Sequence, residues 1–238
     1  MTSVPIRFAG HELLLDSLGG VFWPAARLLA VADLHLEKGS AAARSGSLLP
    51  PWDTGITLDR LGTLIARWQP AIVVALGDSF HDRHGFARMA AQDAARLHAW
   101  AAAAEFIWEL GNHDPAPAPG LAGRATACWS HDGLDFCHHA RPGDRPGDRS
   151  GRGPELVGHH HPKASIPTRV GTVTRPCFVA GEQRLMLPAL GAFTGGLDVA
   201  SPAIARLFPD GGRAFLLGQG RLFAFPLRHT TGYAEASA

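Results

Sequence analysis

Three short apolar stretches, each ending abruptly in polar residues, constrain the fold of this chain more than any other feature of its sequence. They cover residues 27–32, 72–76 and 105–110, and each has the length and composition of a buried β-strand. The polar segments that follow begin at Asp33, Gly77 and Gly111. Because ligands of α/β sheets gather at the carboxyl ends of the strands, the pattern predicts a functional site at one edge of a sheet.

Two segments with helical periodicity lie between these predicted strands. Residues 57–68 carry leucine, isoleucine and tryptophan at helical spacing, and the alanine-rich residues 86–103 form a second helical stretch. Two such crossovers predict a layered sheet-and-helix core. Further along the chain the pattern changes to short strands, which predicts a second sheet packed on the first; these strands cover 134–137, 178–180, 185–190, 214–217 and 222–227.

The composition limits the classes of protein that remain. With 238 residues and 46% hydrophobic content, the chain fits a single domain over residues 1–238. No apolar run reaches the roughly 18 residues of a membrane span, and the N-terminus lacks the pattern of a secretion signal, so we expect a cytoplasmic protein without membrane contact. A formal charge of +1 excludes a global basic field of the kind that announces nucleic-acid binding.

Two further segments carry weaker predictions. Cys128, Cys137 and Cys177 are odd in number and form no CxxC pair, so we expect small core residues rather than a disulfide framework or a zinc ribbon. Residues 141–153 repeat Arg-Pro-Gly-Asp, a composition that cannot pack a core, and we expect a flexible loop there.

Candidate metal ligands follow each of the three apolar stretches. Asp33 and His35 are two residues apart, so both side chains can face one cation. Asp78 follows a glycine and can bridge two cations with its two oxygens. The segment Gly-Asn-His-Asp then offers Asn112 as a neutral oxygen ligand and leaves His113 free to face a substrate.

The remaining ligand candidates are histidines of the second half. His159 and His161 lie two apart in the segment Gly-His-His-His-Pro and can point the same way. One further ligand comes from His138 or His139 at the end of the predicted strand 134–137, and we favour His138. The complete set predicts a site for divalent metal ions, and donors without a thiolate suit Mn²⁺, Fe or Zn²⁺.

The ordered motifs DxH, GD, GNHD, His and GHxH resemble those of the calcineurin-like metallophosphoesterase superfamily. This resemblance implies a four-layer αββα sandwich of two packed mixed β-sheets flanked by helices, within the α/β (α+β) class. It also implies two metal sites bridged by Asp78: Asp33, His35 and His161 would bind one ion, and Asn112, His138 and His159 the other. His113 takes the position of the catalytic histidine.

Further segments, one of which extends the GD motif, are similar to the PdeM family of ligase-associated DNA damage response endonucleases. They are HELLL at 11–15, VFWP at 21–24, GDSFH at 77–81 and GGL at 195–197. This similarity implies Mn²⁺ as the metal, DNA repair as the process, and repair ligases, helicases or nucleases as partners. In the phosphatase branch an Asp orients the catalytic histidine, but this chain has His81 there, which removes the expected carboxylate partner of His113 and leaves Asp82 and Asp114 as the candidates to substitute for it. The resemblance also implies glycine at Glu37, whose charge would lie near an anionic substrate.

The leading hypothesis is a two-metal phosphodiesterase that cuts DNA, with single-stranded DNA as the favoured substrate. Lys38, Arg44 and Arg83 are candidate phosphate contacts, although each is equally compatible with ordinary surface charge. The near-neutral charge keeps an alternative open: a small-molecule phosphodiesterase or nucleotide pyrophosphatase with the same metals. A non-catalytic scaffold is disfavoured because the ligand motifs and His113 are all present.

Overall fold

A computed structural model describes residues 2–141, 153–169 and 171–227. The segment 141–153, predicted to be a flexible loop, lies almost wholly outside these residues. The described part of the chain contains the following strands and helices: β1 Ser3–Phe8, β2 His11–Asp16, β3 Val21–Trp23, β4 Leu28–Ala32, α1 Lys38–Arg44, α2 Asp53–Trp68, β5 Ile72–Leu76, α3 Gly85–Arg88, α4 Ala91–Ala103, β6 Glu105–Glu109, β7 Arg124–Thr126, β8 Cys128–His131, β9 Leu134–Cys137, β10 Glu155–Val157, β11 Lys163–Thr168, β12 Gly171–Ala180, β13 Arg184–Met186, α5 Pro202–Ala205, β14 Gly212–Leu217 and β15 Leu222–Leu227.

The strands form two mixed sheets, which confirms the predicted fold class. The first sheet has seven strands in sequential order from β1 to β7, and β4, β5, β6 and β7 are parallel. The second has eight strands in the order β15-β14-β12-β13-β10-β9-β8, with β11 paired to β12 off that path. In this sheet β10 is parallel to both β9 and β13. Parallel strands at the middle of each sheet place several strand ends at one edge.

Three apolar clusters hold the layers together. The largest lies between the two sheets and includes Trp23 and Ile107 from the first sheet and Phe136 and Phe178 from the second. A second cluster joins the outer face of the first sheet to α2 and α4. A third covers the outer face of the second sheet, where α5 supplies Ile204. The helical layer is therefore thick on the first sheet and reduced to one short helix on the second.

The helix predicted over residues 86–103 is wrong as a single element. It is two helices, α3 and α4, separated by Met89 and Ala90 in extended conformation. Arg88 forms two hydrogen bonds to the Asp82 carboxylate, at 2.7 and 2.9 Å, and the Phe86 ring contacts Phe80. These contacts fix α3 against the segment after β5, so the chain must bend before α4 packs on the sheet. Among the described residues every helix is too short or too polar to span a bilayer.

The prediction for the cysteines is wrong in part. Cys177 is a buried free thiol, as expected, but Cys128 and Cys137 form a disulfide. These two residues are directly opposite each other on the antiparallel strands β8 and β9, with Cα atoms 4.7 Å apart. That separation suits a cross-strand disulfide. The CxxC and framework patterns could not reveal it, because the pairing depends on the register of a hairpin.

Candidate metal centre

The residues predicted as ligands follow strands of both sheets. Asp33, Asp78 and Asn112 come after the neighbouring parallel strands β4, β5 and β6, and His138 and His159 come after the parallel strands β9 and β10. The segments after β4 and β5 continue side by side, since the His35 N–H donates to the Asp78 carbonyl at 2.9 Å. The His159 N–H donates to the Asp33 carboxylate at 3.0 Å and thereby links the two sheets. The strand ends therefore meet at one point between the sheets.

One group of side chains consists of Asp33, His35 and His161. Nε2 of His35 lies 3.2 Å from Nε2 of His161, and Nε2 of His161 lies 3.3 Å from the Asp33 carboxylate. Burial lowers the pKa of His35 to about 3, and the adjacent His161 ring adds to this shift. The His35 imidazole is therefore neutral near pH 7 and its lone pair is free to bind a metal.

A second group surrounds His138, whose side chain is 1% exposed. Nε2 of His138 lies 3.0 Å from the Asn112 side-chain oxygen and 3.3 Å from the Asp78 carboxylate. The ring of His159 is 5.0 Å from that of His138, measured between centroids. Burial lowers the pKa of His159 to about 4, which keeps this imidazole neutral as well.

Asp78 stands between the two groups. Its carboxylate is 3.9 Å from Nε2 of His35 and 3.3 Å from Nε2 of His138. One oxygen also accepts the His113 N–H at 2.9 Å, which fixes the orientation of the carboxylate. Although burial would raise the pKa of Asp78, hydrogen bonds and the charges of His138 and His35 outweigh this effect and hold the pKa below its usual range. The carboxylate is therefore charged at neutral pH, as a bridging ligand must be.

The donor atoms of His138 show why this arrangement fits a cation. Nδ1 lies 2.9 Å from the Leu76 carbonyl oxygen, which can only accept, so Nδ1 carries the proton. In the neutral ring Nε2 then keeps its lone pair, yet it faces the oxygens of Asn112 and Asp78, which are acceptors too. Burial lowers the pKa of His138, but the hydrogen bond and charge of Asp78 and the charge of Asp33 raise it overall. A positive charge is thus favoured at this point. A divalent cation would accept the lone pairs of His138 Nε2, the Asn112 oxygen and the Asp78 carboxylate together.

Three glycines leave the space that these closely packed side chains need. A Cβ atom on Gly77 would lie 2.4 Å from the His138 ring, and one on Gly111 would lie 2.1 Å from the Asp78 carboxylate. A Cβ atom on Gly158 would lie 2.6 Å from the carboxylate of Asp33. Each glycine of the GD, GN and GH motifs therefore admits a candidate ligand from another strand. The motifs are explained by packing around the site as well as by the ligands within them.

His113 is oriented differently from the expectation. Its Nδ1 lies 2.8 Å from the backbone carbonyl oxygen of His81. Asp82 is instead engaged by Arg88, and Asp114 accepts the backbone N–H groups of Phe80 and Gly111. Neither of these two candidates therefore takes the place of the missing Asp in the contacts of the described residues. A carbonyl oxygen fixes the ring, leaves Nε2 free, and also accepts Nδ1–H when the ring is protonated.

The structure adds two histidines to the neighbourhood that motif spacing alone did not assign. His81 forms a cluster with His35 and His113, and its ring stacks on that of His113 at 5.0 Å between centroids. His139 is exposed but lies in a cluster with His138 and His159, so both members of the 138–139 pair reach the site. Only proximity in space reveals these contacts.

The residues predicted to contact phosphate are less closely gathered. Lys38 is half-buried and donates to the Phe193 carbonyl at 2.9 Å, while Arg44 and Arg83 are exposed and form no ion pair with the described residues. Glu37 is buried, and its carboxylate accepts the hydroxyls of Ser40 and Thr54. The Glu37 charge therefore lies in the contact between α1 and α2 and not in the open part of the site.

Comparison with known proteins relates the chain to a solved structure. No protein-family model and no curated protein sequence matches the chain. Among solved structures, the chain is similar to that titled "Crystal structure of Pseudomonas putida nuclease MPE", with 32% sequence identity and a TM-score of 0.70. The match covers 94% of this chain and 100% of that one. At this identity over nearly the full length of both chains, the protein belongs to the same family as the Pseudomonas putida nuclease MPE.

Proposed function

We propose that this protein is a metal-dependent nuclease: a two-metal phosphodiesterase that hydrolyses phosphodiester bonds of DNA with metal-activated water. The observation that carries the proposal is the position of Asp78 between two groups of imidazole, carboxylate and amide donors, next to His113. The related Pseudomonas putida protein is named a nuclease, which supports nucleic acid as the substrate class. The seven residues that would hold the metals are Asp33, His35, Asp78, Asn112, His138, His159 and His161.

When bound, a pair of divalent cations supplies an activated water and stabilises negative charge at phosphorus. The protein supplies the proton chemistry through His113. In the imidazolium form, Nδ1–H stays on the His81 carbonyl while Nε2–H donates to the leaving oxygen. The hydrogen bond to the His81 backbone carbonyl keeps the ring in one orientation through this transfer, so His113 needs no carboxylate partner.

Several finer points belong to the same proposal. Imidazole, carboxylate and amide donors suit Mn²⁺, with Fe or Zn²⁺ as alternatives. Residues 1–238 would form a single calcineurin-like metallophosphoesterase domain that acts as an endonuclease in cytoplasmic DNA repair, as the similarity to the PdeM family suggests. Repair ligases, helicases and nucleases are the partners to test first.

The proposal is tested with two substrates and two matched variants. Bis-p-nitrophenyl phosphate and a labelled single-stranded oligonucleotide are incubated with Mn²⁺ and after chelation. Asn112→Ala removes an amide oxygen at the site, and Gln92→Ala removes an exposed amide on α4 as the control. We expect both substrates to be cut only with metal, by the wild type and Gln92→Ala but about 10- to 100-fold more slowly by Asn112→Ala.

The pattern of failure is informative. Cleavage of the small diester without cleavage of the oligonucleotide would move the substrate class to small phosphodiesters or nucleotide pyrophosphates. Absence of cleavage of both substrates with Mn²⁺, Fe²⁺ and Zn²⁺ would refute the phosphodiesterase activity itself.

A further inference from the structure

The loop formed by residues 191–197 lies directly beside the candidate metal centre. At one end the Gly191 N–H donates to the Asp33 carbonyl at 3.1 Å. At the other end the Leu197 N–H donates to the His160 carbonyl at 3.2 Å, and a Cβ atom on Gly196 would lie 2.2 Å from the His161 carbonyl. The 191–197 loop is therefore attached to the segments that carry ligand candidates from both sheets.

The two lysines of the chain support this loop. Among 22 basic residues only Lys38 and Lys163 are lysine. The Lys38 ammonium donates to the Phe193 carbonyl at 2.9 Å, and the Lys163 ammonium lies 3.4 Å from the Thr194 carbonyl. Each ammonium group has three donors, so both can hold the loop and still offer N–H groups to a phosphate. The loop thus combines a fixed backbone with positive charge.

Phe193 lies in the part of the loop that the two lysines hold, and its aromatic ring is exposed to solvent. Its side chain is 45% exposed, and its backbone has a φ of 57°, in the left-handed region that bulky residues avoid. The loop contains three glycines, any of which adopts such a φ without cost, yet this left-handed and exposed position is occupied by a phenylalanine. An exposed aromatic ring held in a strained conformation at a candidate active site indicates a role in binding.

We propose that Phe193 stacks on an unpaired nucleobase adjacent to the scissile phosphate, with Lys38 and Lys163 facing the neighbouring phosphates. The inference rests on the proposed nuclease function and names its substrate as single-stranded nucleic acid. An aromatic face beside cationic groups is the arrangement by which proteins hold single strands, since every base has a π-face and every linkage a charge. A base inside a duplex is already stacked and paired, so its face is not available to the ring.

The test compares a short single-stranded oligothymidylate with a chain of the same length and backbone in which every base is absent. The kcat/KM for each is measured with Mn²⁺ for the wild type, Phe193→Ala and Phe193→Leu. Phe223→Ala is the control, because Phe223 is 42% exposed on β15, the edge strand of the second sheet. We expect Phe193→Ala and Phe193→Leu to lose about 5- to 100-fold on the base-bearing chain and to be unchanged on the abasic chain. Phe193→Trp should retain the base-dependent rate, and Phe223→Ala should match the wild type on both chains.

Three results would overturn the inference. Equal losses on both chains would assign Phe193 to the structure of the site rather than to base contact. Full activity of Phe193→Leu would mean that apolar bulk suffices and that stacking plays no part. Wild-type rates for Phe193→Ala on the oligothymidylate would remove the contact altogether while leaving the nuclease proposal intact. If the wild type cuts bis-p-nitrophenyl phosphate and neither oligonucleotide, the proposed nuclease function fails first and this inference falls with it.

Discussion

Gly111→Ala should lower metal-dependent activity about 100-fold without unfolding the protein. A Cβ atom at this position would lie 2.1 Å from the Asp78 carboxylate oxygen and 2.3 Å from the Asp78 backbone nitrogen. Ordinary contacts to a Cβ atom begin near 3.4 Å, so Asp78 or the segment carrying Gly111 must move by about 1 Å. A displacement of that size in a catalytic group costs on the order of 100-fold in rate. Overpacking of this kind costs about 1–3 kcal/mol of stability, which the fold should survive.

The matched control is Gly55→Ala, on α2, where a Cβ atom would have nothing within 4 Å. Alanine is the better helix former, so this variant should be more stable by about 0.5–1 kcal/mol with unchanged activity. The assay is hydrolysis of bis-p-nitrophenyl phosphate over a Mn²⁺ titration, beside urea unfolding of each variant. A folded Gly111→Ala protein with wild-type kcat and wild-type metal affinity would refute the reasoning that this glycine exists to admit Asp78.

Three further predictions concern stability. Burial raises the pKa of Glu109 to about 9 from an ordinary value near 4.5, so the folded state holds a proton that the unfolded state releases between these values. The wild type should therefore lose stability relative to Glu109→Gln as the pH rises from 5 to 8, by up to about 1.4 kcal/mol per pH unit, and parallel urea curves for the two proteins would disprove this. Arg184→Ala should cost about 3 kcal/mol in urea unfolding, because the guanidinium lies 2.6 Å from buried Glu155 and its loss leaves that carboxylate poorly compensated; a cost below about 1 kcal/mol would contradict this. Reduction should lower the urea midpoint of the wild type by an amount equivalent to about 2–3 kcal/mol but leave Cys128→Ser unchanged, and equal sensitivity of both would exclude the Cys128–Cys137 disulfide.

The sequence predicted the central strands of the fold better than its margins. The strands expected over 27–32, 72–76 and 105–110 correspond to β4, β5 and β6, because burial on both faces of a central strand leaves a continuous apolar run in the sequence. The hairpin of β11 and β12 was not anticipated as a unit, since most of its residues are exposed or only partly buried and leave little apolar signal. The break between α3 and α4 depends on contacts of Phe86 and Arg88 with residues before them, and helical periodicity carries no information about those contacts.

At the site, motif order predicted which residues the structure brings together, and their roles as ligands stay predictions. The sequence could not predict the partner of His113, because that partner is a backbone carbonyl, which every residue type carries. It also could not place Glu37, whose carboxylate is satisfied by hydroxyls of Ser40 and Thr54 from two different helices. Both depend on how the segments after β4 and β5 bend. Residue identity determines which groups are available, and the bend determines which of them face the candidate metal centre.

That bend has a regular backbone signature. Asp33, His35 and Glu37 all have positive φ, at 52°, 42° and 65°, and so do His159 and His161, at 70° and 46°. Spacing by two was expected to put the Asp33 and His35 side chains on one face, as in a strand, yet these residues lie beyond the end of β4. The alternation persists because every second residue is left-handed, which turns the chain while Leu34 and Leu36 stay buried against the helices. Left-handed non-glycine residues are costly, and five of the seven ligand candidates adopt this conformation, with Asp78 at 46°. Strain concentrated at the ligand candidates is the behaviour of a site whose geometry is stabilised by the surrounding core, and bound cations would offset part of that cost.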